Sequence, residues 1–365
     1  MSFSVVNTDV IKSDVIKPEE IKPNPSAVHV DIPHDFPHGG GVEAAAQAWQ
    51  CDVADVLDLS TGLHPAGESA WLSEWMREHA ALVAHYPDAH GEPARSALAD
   101  EFAVPPENIL ITAGAQATIE VIFQAMNWSC MAIEVPCYNE PIRCAKRAAC
   151  NVVAFESGLP PAADVLWLTS PSNPSGETRW PHADECVSEY EHAQISQPQP
   201  HSICLDESYM PFVQRRRLGL MPDVVRIGSL TKTFCIPGLR LGYVIADHET
   251  IAKLRHWMPP WPSSTLALHL LAELLPEADQ RDEQIIIARD RLQSLLESCG
   301  WQVRPSAASF LMARPASGVM PDFTKHRILL RHFPEWPQLN GWIRFGLPGN
   351  ESDWQRLKNA ITCRI

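Results

Sequence analysis

Lys232 lies just after an apolar strand, within the run SLTKTFCIPGLRLGY at residues 229–243. Burial disfavours a charged ammonium, so a lysine at the end of a buried strand is often a nucleophile that forms Schiff bases. A structural lysine held in a salt bridge is the alternative interpretation for Lys232 taken alone. Ser229 precedes it and Arg240 follows it, and a hydroxyl with a guanidinium suits a phosphate dianion. The run therefore predicts a reactive amine beside a phosphate site.

Polar residues after other predicted strands match the ring of pyridoxal 5′-phosphate (PLP). In LDESY, Asp206 ends a strand, and its carboxylate there could keep a pyridine nitrogen protonated. Tyr209 follows it, and Asn173 lies in the turn SPSNPSG; both could reach the phenolate oxygen of the ring. Tyr138, in EVPCYNEP, could stack on the ring. Each motif alone is more often structural, but their order and shared position at strand ends favour a PLP site.

A glycine turn supplies a second part of the predicted phosphate site. The segment TAGAQAT, residues 112–118, runs from a strand into a helix. The first backbone N–H groups of a helix have no partner within it, so those near Ala115 and Gln116 could bind a phosphate.

These motifs need a sheet that brings strand ends to one edge. Apolar runs such as ENILITAG, CMAIEVP and ADVLWLTSP alternate with helical patterns, which predicts an α/β fold with a mostly parallel sheet covered by helices. Ligands bind such sheets at the carboxyl ends of the strands. Longer helices and three short strands then predict a smaller α/β domain. The predicted division is a flexible tail over 1–35, a segment over 36–66 that joins the small domain, a large domain over 67–250 and a small domain over 251–365.

Composition limits the partners that we expect. The chain has 365 residues and a formal net charge of −15, which argues against nucleic acid or an anionic membrane as the main partner. It leaves room for a phosphorylated substrate, which needs only a few local cations. The ten cysteines form no C-x-x-C pair, and we expect neither a zinc site nor any other metal. With no secretory signal and no apolar run long enough to span a bilayer, we expect a cytoplasmic protein.

The motifs SPSNPSG, LDESY and SLTKTFCIPGLRLGY resemble those of fold-type-I PLP enzymes in the aminotransferase class I/II superfamily. The resemblance covers about residues 36–365. Within the superfamily, the chain is similar to the branch of histidinol-phosphate aminotransferases and the threonine-phosphate decarboxylases of cobalamin biosynthesis. The segments HGGGVEAAA, VLDLSTGLHPAG, HWMPPWPSSTLALHLLAEL and WIRFGLPGNESDWQRL resemble the decarboxylases more closely.

The resemblance implies a role for each candidate residue. Lys232 would form the Schiff base with PLP. Asp206 would pair with the pyridine nitrogen, and Asn173 and Tyr209 would bind the phenolate oxygen. The implied phosphate ligands are Ser229, Arg240 and the amides of Ala115 and Gln116, with Tyr138 stacked on the ring. Tyr86 would reach the cofactor of a partner subunit, which implies a homodimer with shared active sites. The implied substrate ligands are Arg344 for the α-carboxylate, and His38 and Arg331 for the substrate phosphate.

Some positions depart from the family pattern. His64 replaces a usual asparagine, Pro141 replaces an aromatic residue, and Pro348 and Gly349 follow Arg344 where some decarboxylases have a further arginine. The departures leave the cofactor site intact and concern the substrate.

Three functions remain open on the sequence. The first is decarboxylation of O-phospho-L-threonine to (R)-1-amino-2-propanol O-2-phosphate, for which the sequence leaves phosphoserine open as the alternative substrate. The second is an aminotransferase that acts on histidinol phosphate or a similar compound. The third is a non-catalytic PLP-binding regulator, which the Pro-rich N-terminus and the acidic charge disfavour.

Two features are interpreted as having no functional role. Arg215, Arg216 and Arg217 are expected in a solvated loop. Trp257 and Trp261 are expected in a core or a domain contact, with Trp261 a possible lining residue of the substrate site.

Overall fold

The computed structural model describes residues 38–156, 158, 160–178 and 202–362, so the tail predicted over residues 1–35 lies outside the described residues. The α-helices of the described part are α1 (Val42–Trp49), α2 (Leu72–Glu78), α3 (Ala94–Phe102), α4 (Ala115–Met126), α5 (Glu140–Arg147), α6 (Phe212–Leu218), α7 (His248–Trp257), α8 (Thr265–Leu274), α9 (Ala278–Ser298) and α10 (Glu351–Thr362). Its strands are β1 (Leu57–Asp58), β2 (Ile109–Thr112), β3 (Cys130–Glu134), β4 (Asn151–Phe155), β5 (Val165–Thr169), β6 (Ser202–Asp206), β7 (Val224–Ser229), β8 (Gly242–Ile245), β9 (Trp301–Val303), β10 (Phe310–Pro315), β11 (Ile328–Leu329) and β12 (Ile343–Gly346).

A seven-stranded sheet with the order β2-β8-β7-β6-β5-β3-β4 forms the centre of the fold. Its strands are parallel except β8, which is antiparallel to both β2 and β7. Every residue of β2, β7 and β8 is buried, because helices cover both faces and the strands are short apolar runs. The predicted α/β fold with a mixed, mostly parallel sheet is confirmed.

Two hydrophobic clusters lie against this sheet. In the first, Ile119 and Phe123 of α4 pack with Leu254 of α7. In the second, Phe102 of α3 packs with Leu271 of α8. Helices α7 and α8 therefore share their cores with the seven-stranded sheet, which favours a domain boundary beyond α8 instead of the predicted one at residue 250. The division into domains itself remains a prediction.

A smaller antiparallel sheet, with the order β9-β10-β12, carries the C-terminal part of the chain. Helices α9 and α10 contribute Leu292 and Leu357 to the cluster that packs with Leu311 and Phe345 of this sheet. Strand β1 pairs in parallel with β11, which brings the N-terminal residues near Leu57 beside Ile328. Just after β1, the Ser60 carbonyl accepts a hydrogen bond from Arg344 of β12 at 2.6 Å.

The loop predicted at residues 215–217 is wrong, and so is the solvent exposure predicted for Arg215, whereas Arg217 is exposed. These residues lie in α6, and the Arg215 side chain is fully buried beneath the strand ends. Its guanidinium donates to the carbonyl oxygens of Ser208 and Ser229 at 3.3 Å each and of Met210 at 2.6 Å. A run of three arginines looks solvated in sequence, but helical spacing turns one of them toward the core.

Arg226 and Glu207 form a second buried group behind the same strand ends. Both side chains are 0% exposed, and the guanidinium donates to the two carboxylate oxygens at 3.0 and 3.1 Å. The Tyr243 hydroxyl donates to the same carboxylate at 2.5 Å. Such a bidentate pair is stable only while both charges are present, because either charge alone would be buried without a partner.

Replacing Arg226 with alanine is therefore expected to lower the free energy of unfolding by about 3–5 kcal/mol. Chemical denaturation of wild type and variant measures the difference. The matched control is Arg291→Ala, which breaks an arginine–glutamate pair with Glu351 on the exposed surface and should cost much less. Equal losses in the two variants would contradict the account of the buried pair.

Candidate active site

A cavity of about 1030 Å³ opens at the carboxyl ends of the parallel strands. It is bordered by the last residues of β6 and β7 and by the first turn of α4. Of the predicted site residues, all except Tyr86 line it: His38, Ala115, Gln116, Tyr138, Asn173, Asp206, Tyr209, Ser229, Lys232, Arg240, Arg331 and Arg344. The fold thus brings together residues from across most of the chain.

Lys232 lies in the turn that follows β7. Its Nζ donates to the Ser229 hydroxyl at 3.2 Å and lies 5.6 Å from the centroid of the Tyr209 ring. The Ser229 hydroxyl is 2.8 Å from that of Thr231. Lys232 has no ion pair with the described residues, so it is not the salt-bridged structural lysine that the sequence left open. Its amine faces the cavity, held by a neutral hydroxyl.

Asp206 is the last residue of β6 and only 5% exposed. Burial raises the pKa of its carboxyl, and hydrogen bonds from Ser208 and the nearby charge of Lys232 partly offset that effect. The backbone N–H of Ser208 donates to Oδ1 at 3.0 Å. A buried carboxylate of this kind is stabilised by a cation, and a protonated pyridine nitrogen would supply one.

At the end of the cavity where the cofactor phosphate is predicted to bind, two glycines let neighbouring segments pack very closely. Gly114 has a φ of +79°, and a Cβ there would lie 2.8 Å from a terminal nitrogen of Arg240. A Cβ at Gly242 would lie 2.6 Å from the backbone nitrogen of Ala115. The guanidinium of Arg240 thus lies against the N-terminus of α4, while its Nη1 donates to the carbonyl of Pro237 at 3.0 Å. A free helix N-terminus beside a guanidinium fits a phosphate.

Arg344 enters the cavity from β12 and is 5% exposed. It donates to the side-chain oxygen of Asn173 at 2.7 Å and to the carbonyl of Ser60 at 2.6 Å. Its Nε has no hydrogen-bond partner among the described residues. Burial also lowers the pKa of the guanidinium, because its charge is removed from water. Arg344 is thus a desolvated cation with one unused donor, and an anionic ligand would stabilise it.

Glu140, which the sequence did not single out, contacts several other side chains that line the cavity. It accepts hydrogen bonds from His38 at 3.1 Å, from Gln116 at 2.9 Å and from Nε of Arg143 at 2.8 Å. Burial alone would raise its pKa, but the bonds from His38 and Arg143 lower it to about 2. Tyr138 donates to the side-chain oxygen of Gln116 at 3.1 Å. Glu140 thus fixes the wall that carries His38 and Tyr138.

Glu335 is the second acidic residue that sequence reasoning missed. Its Oε1 accepts from Arg331 at 2.5 Å, and the two side chains are 1% and 10% exposed. The Arg331 guanidinium lies 4.7 Å from the centroid of the Phe333 ring. The backbones of Arg331 and Arg344 form a β-bridge, so the two arginines enter the cavity side by side. In the sequence, the spacing of four residues between Arg331 and Glu335 is the one feature that could have indicated this ion pair.

The structure does not bring Tyr86 into this cavity. Tyr86 is 80% exposed, and its ring lies 4.6 Å from that of Trp261. Trp257 and Trp261 are about half exposed, so the core position expected for them is wrong, and neither is among the described residues that line the cavity. The alternative, a domain contact, stays a prediction. The contact of Tyr86 with a partner subunit remains a prediction.

Two positions that depart from the family pattern are structural. His64 is buried, its Nε2 lies 3.0 Å from the carbonyl of Arg281 and its Nδ1 accepts from the N–H of Ala66 at 3.1 Å. Burial lowers its pKa to about 4, so the imidazole is neutral near pH 7. Pro141 occupies the first turn of α5, where its missing N–H leaves no hydrogen bond unmade.

The family of the chain follows from comparison with known proteins. Residues 54–361 match the model of the aminotransferase class I and II family, and the chain belongs to that family. Its cofactor is PLP, and the cradle at Gly114, the buried Asp206 and the open amine of Lys232 fit that group.

Individual relatives fall into two groups. The chain is 27% identical to a threonine-phosphate decarboxylase from Pseudomonas aeruginosa, over 89% of this chain and 96% of the relative. It is 26% identical to a histidinol-phosphate aminotransferase from Shigella flexneri, over 76% and 83%. A solved histidinol-phosphate aminotransferase from Sinorhizobium meliloti, in complex with PLP, superposes with a TM-score of 0.75 at 19% identity, covering 90% of this chain and 94% of that one.

No helix of the described residues is long and apolar enough to cross a membrane.

Glu120, Glu140 and Cys144 lie close enough together to bind a metal ion, but both carboxylates already accept hydrogen bonds from Arg143. The expected absence of a metal therefore stays a prediction.

Proposed function

We propose that this enzyme decarboxylates O-phospho-L-threonine to (R)-1-amino-2-propanol O-2-phosphate, as a step of cobalamin biosynthesis. The observation that carries the proposal is the pair of arginines that enter the cavity side by side, Arg344 with an unused donor and Arg331 next to it. A substrate with two anionic groups matches two adjacent guanidinium groups. The relative from Pseudomonas aeruginosa that bears the name of this activity is aligned over 89% of the chain.

The cofactor ligands of the proposal are the residues predicted from the sequence. Lys232 carries the cofactor, and Asp206 pairs with its ring nitrogen. Asn173 and Tyr209 bind the phenolate oxygen, and Tyr138 stacks on the ring. The cofactor phosphate is bound by Ser229, Arg240 and the N–H groups of Ala115 and Gln116.

When bound, PLP withdraws electrons from whichever Cα bond stands perpendicular to its ring. The residues of the chain select that bond. Arg344 holds the α-carboxylate, and Arg331 and His38 hold the substrate phosphate, so the molecule is fixed at both ends. Fixing both ends would set the rotation about the Cα–N bond, so that binding energy from the remote phosphate selects the bond to the carboxylate as the one that breaks.

Proton transfer falls to Lys232 in this proposal. Its Nζ donates a hydrogen bond to the Ser229 hydroxyl, which would keep the free amine in the cavity while substrate is bound. After carbon dioxide has left, the Nζ ammonium delivers a proton to Cα. Asp206 meanwhile keeps its negative charge beside the ring nitrogen, which keeps that nitrogen protonated.

The second candidate function is transamination of histidinol phosphate or a similar compound. The relatives named histidinol-phosphate aminotransferase favour it, and it uses the same cofactor ligands. It differs in which Cα bond would break, namely the bond to hydrogen instead of the bond to the carboxylate. A 2-oxo acid is then needed to accept the amino group.

The requirement for a 2-oxo acid separates the two functions. We expect the holoenzyme to release carbon dioxide from O-phospho-L-threonine without any acceptor, at a rate that 2-oxoglutarate leaves unchanged. Carbon dioxide is measured with carboxyl-labelled substrate. Turnover that depends on 2-oxoglutarate and leaves the label in the organic product would support the aminotransferase instead.

The proposal also includes a homodimer with shared active sites, a cytoplasmic location and no nucleic-acid partner. Tyr86 would then contact the cofactor phosphate of the partner subunit. Its large exposure leaves the ring free for such a contact.

A further inference from the structure

Glu335 presents an unsatisfied acceptor beside the predicted substrate ligand Arg331. One carboxylate oxygen, Oε1, accepts from Arg331, whereas the other, Oε2, is buried and has no hydrogen-bond partner among the described residues. The side chain is 1% exposed, and Glu335 is among the residues that line the cavity. Buried carboxylate oxygens are nearly always hydrogen-bonded. Because Glu335 borders the cavity, the O–H of a ligand bound there is a donor that could supply the missing bond.

The charges around this end of the cavity restrict what that ligand can be. The charge of Arg331 is balanced by Glu335, and Glu140 lies within hydrogen-bonding distance of His38. A fully ionised phosphate would meet Arg331 but also the carboxylate of Glu335 at close range. Two negative charges in contact repel each other strongly in a buried site, so a phosphate dianion and the Glu335 carboxylate would disfavour each other.

We propose that Glu335 is a specificity-determining residue that accepts a hydrogen bond from the O–H of a singly protonated phosphate ester, while Arg331 binds the ester's unprotonated oxygens. This inference rests on the proposed function, because it concerns the phosphate of the same substrate. A phosphate monoester carries this proton at small cost, since its second pKa is about 6. A sulfate ester of the same shape has no such proton and offers Glu335 only acceptors.

The position of the pair fits a ligand that also reaches Arg344. Arg331 lies 4.7 Å and Arg344 5.8 Å from the centroid of the Phe333 ring, so this ring lies against both guanidinium groups. A short substrate can therefore place its carboxylate on Arg344 and its phosphate on Arg331 and Glu335. Selection between phosphate and sulfate falls to Glu335, because both anions accept from arginine equally well.

Binding of two matched analogues to the holoenzyme tests the inference. The probes are 3-phosphooxybutanoate and 3-sulfooxybutanoate, which lack the amine and are not turned over. We expect wild type to bind the phosphate about tenfold more tightly by titration calorimetry, the value of one hydrogen bond to a charged group. In Glu335→Gln the ratio of the two dissociation constants is expected to fall below about twofold, because the amide can donate to either anion.

Two control variants distinguish a role of Glu335 in selecting phosphate over sulfate from a role that only positions Arg331. Glu351→Gln removes an arginine-paired carboxylate far from the cavity and should leave the ratio at the wild-type value. Glu335→Asp keeps the charge and should retain a preference for phosphate, which guards against a misfolded glutamine variant. Parallel weakening of both ligands in Glu335→Gln, with an unchanged ratio, would overturn the inference.

The same experiment distinguishes this inference from the proposed function. An enzyme that decarboxylates O-phospho-L-threonine but binds the two analogues equally would refute the role of Glu335 alone. Wild type that binds neither analogue would refute the phosphorylated substrate and the role of Glu335 together.

Discussion

Replacing Lys232 with alanine is expected to reduce turnover by at least about 10⁴-fold, because the variant loses both the amine that carries the cofactor and the group that moves the proton. The visible absorbance of the lysine-bound cofactor should disappear as well. Steady-state assays and absorbance spectra of PLP-loaded protein measure the two effects. The amine of Lys232 is placed for this role, since Lys232 lines the cavity and the Ser229 hydroxyl is its one hydrogen-bond partner among the described residues.

The control for this variant is Lys253→Ala. Lys253 lies on α7, where it is about half exposed and paired with Glu249, so its loss should leave turnover and spectrum unchanged. A Lys232→Ala protein that keeps the absorbance and normal turnover would contradict the assignment of the cofactor-binding amine.

Replacing Asp206 with asparagine is expected to lower turnover by about 10³-fold. The amide has nearly the same shape, so the change removes the negative charge beside the ring nitrogen while the packing of β6 is kept. Without that charge the nitrogen loses its proton and withdraws electrons less well. The KM for substrate should change little, because Asp206 contacts the cofactor and not the substrate in the proposed arrangement.

Steady-state kinetics with excess PLP test the Asp206 prediction, and the cofactor spectrum shows whether PLP is still bound. The matched control is Asp100→Asn, at an exposed position on α3. Wild-type turnover in Asp206→Asn would contradict the role of the carboxylate. A loss that excess PLP restores would point to cofactor affinity alone.

The residues of the cofactor site were predictable because each belongs to a local motif. Asp206 ends β6, Lys232 follows β7 and Ala115 begins α4. Parallel strands align their carboxyl ends at one edge, so local motifs after separate strands converge without any knowledge of long-range contacts. The fold class followed from the same alternation of strands and helices.

The acidic residues of the substrate end were not predictable in this way. Glu140 and Glu335 both line the cavity, where they contact His38 and Arg331. Glu140 and His38 are far apart in the sequence, so only the tertiary fold shows that they meet. Strand β4, with the sequence NVVAF, was missed because a five-residue apolar run after a helix gives a weak signal.

Burial of charged side chains was the other failure of sequence reasoning. Arg215 was expected in solvent, because arginines are rarely buried unless they are paired. Its partners are backbone carbonyls such as those of Ser208 and Ser229, which sequence patterns do not reveal. The core position predicted for Trp261 was wrong in the opposite direction, since this aromatic residue lies half exposed beside Tyr86.

The product formed from O-phospho-L-threonine in D₂O, without a 2-oxo acid, tests the central claim most directly. The account predicts an amine phosphate that has lost the carboxylate as carbon dioxide and has gained one non-exchangeable deuterium at the former Cα, as measured by mass spectrometry. A product that keeps the carboxylate, or substrate that only exchanges its Cα hydrogen, would contradict it.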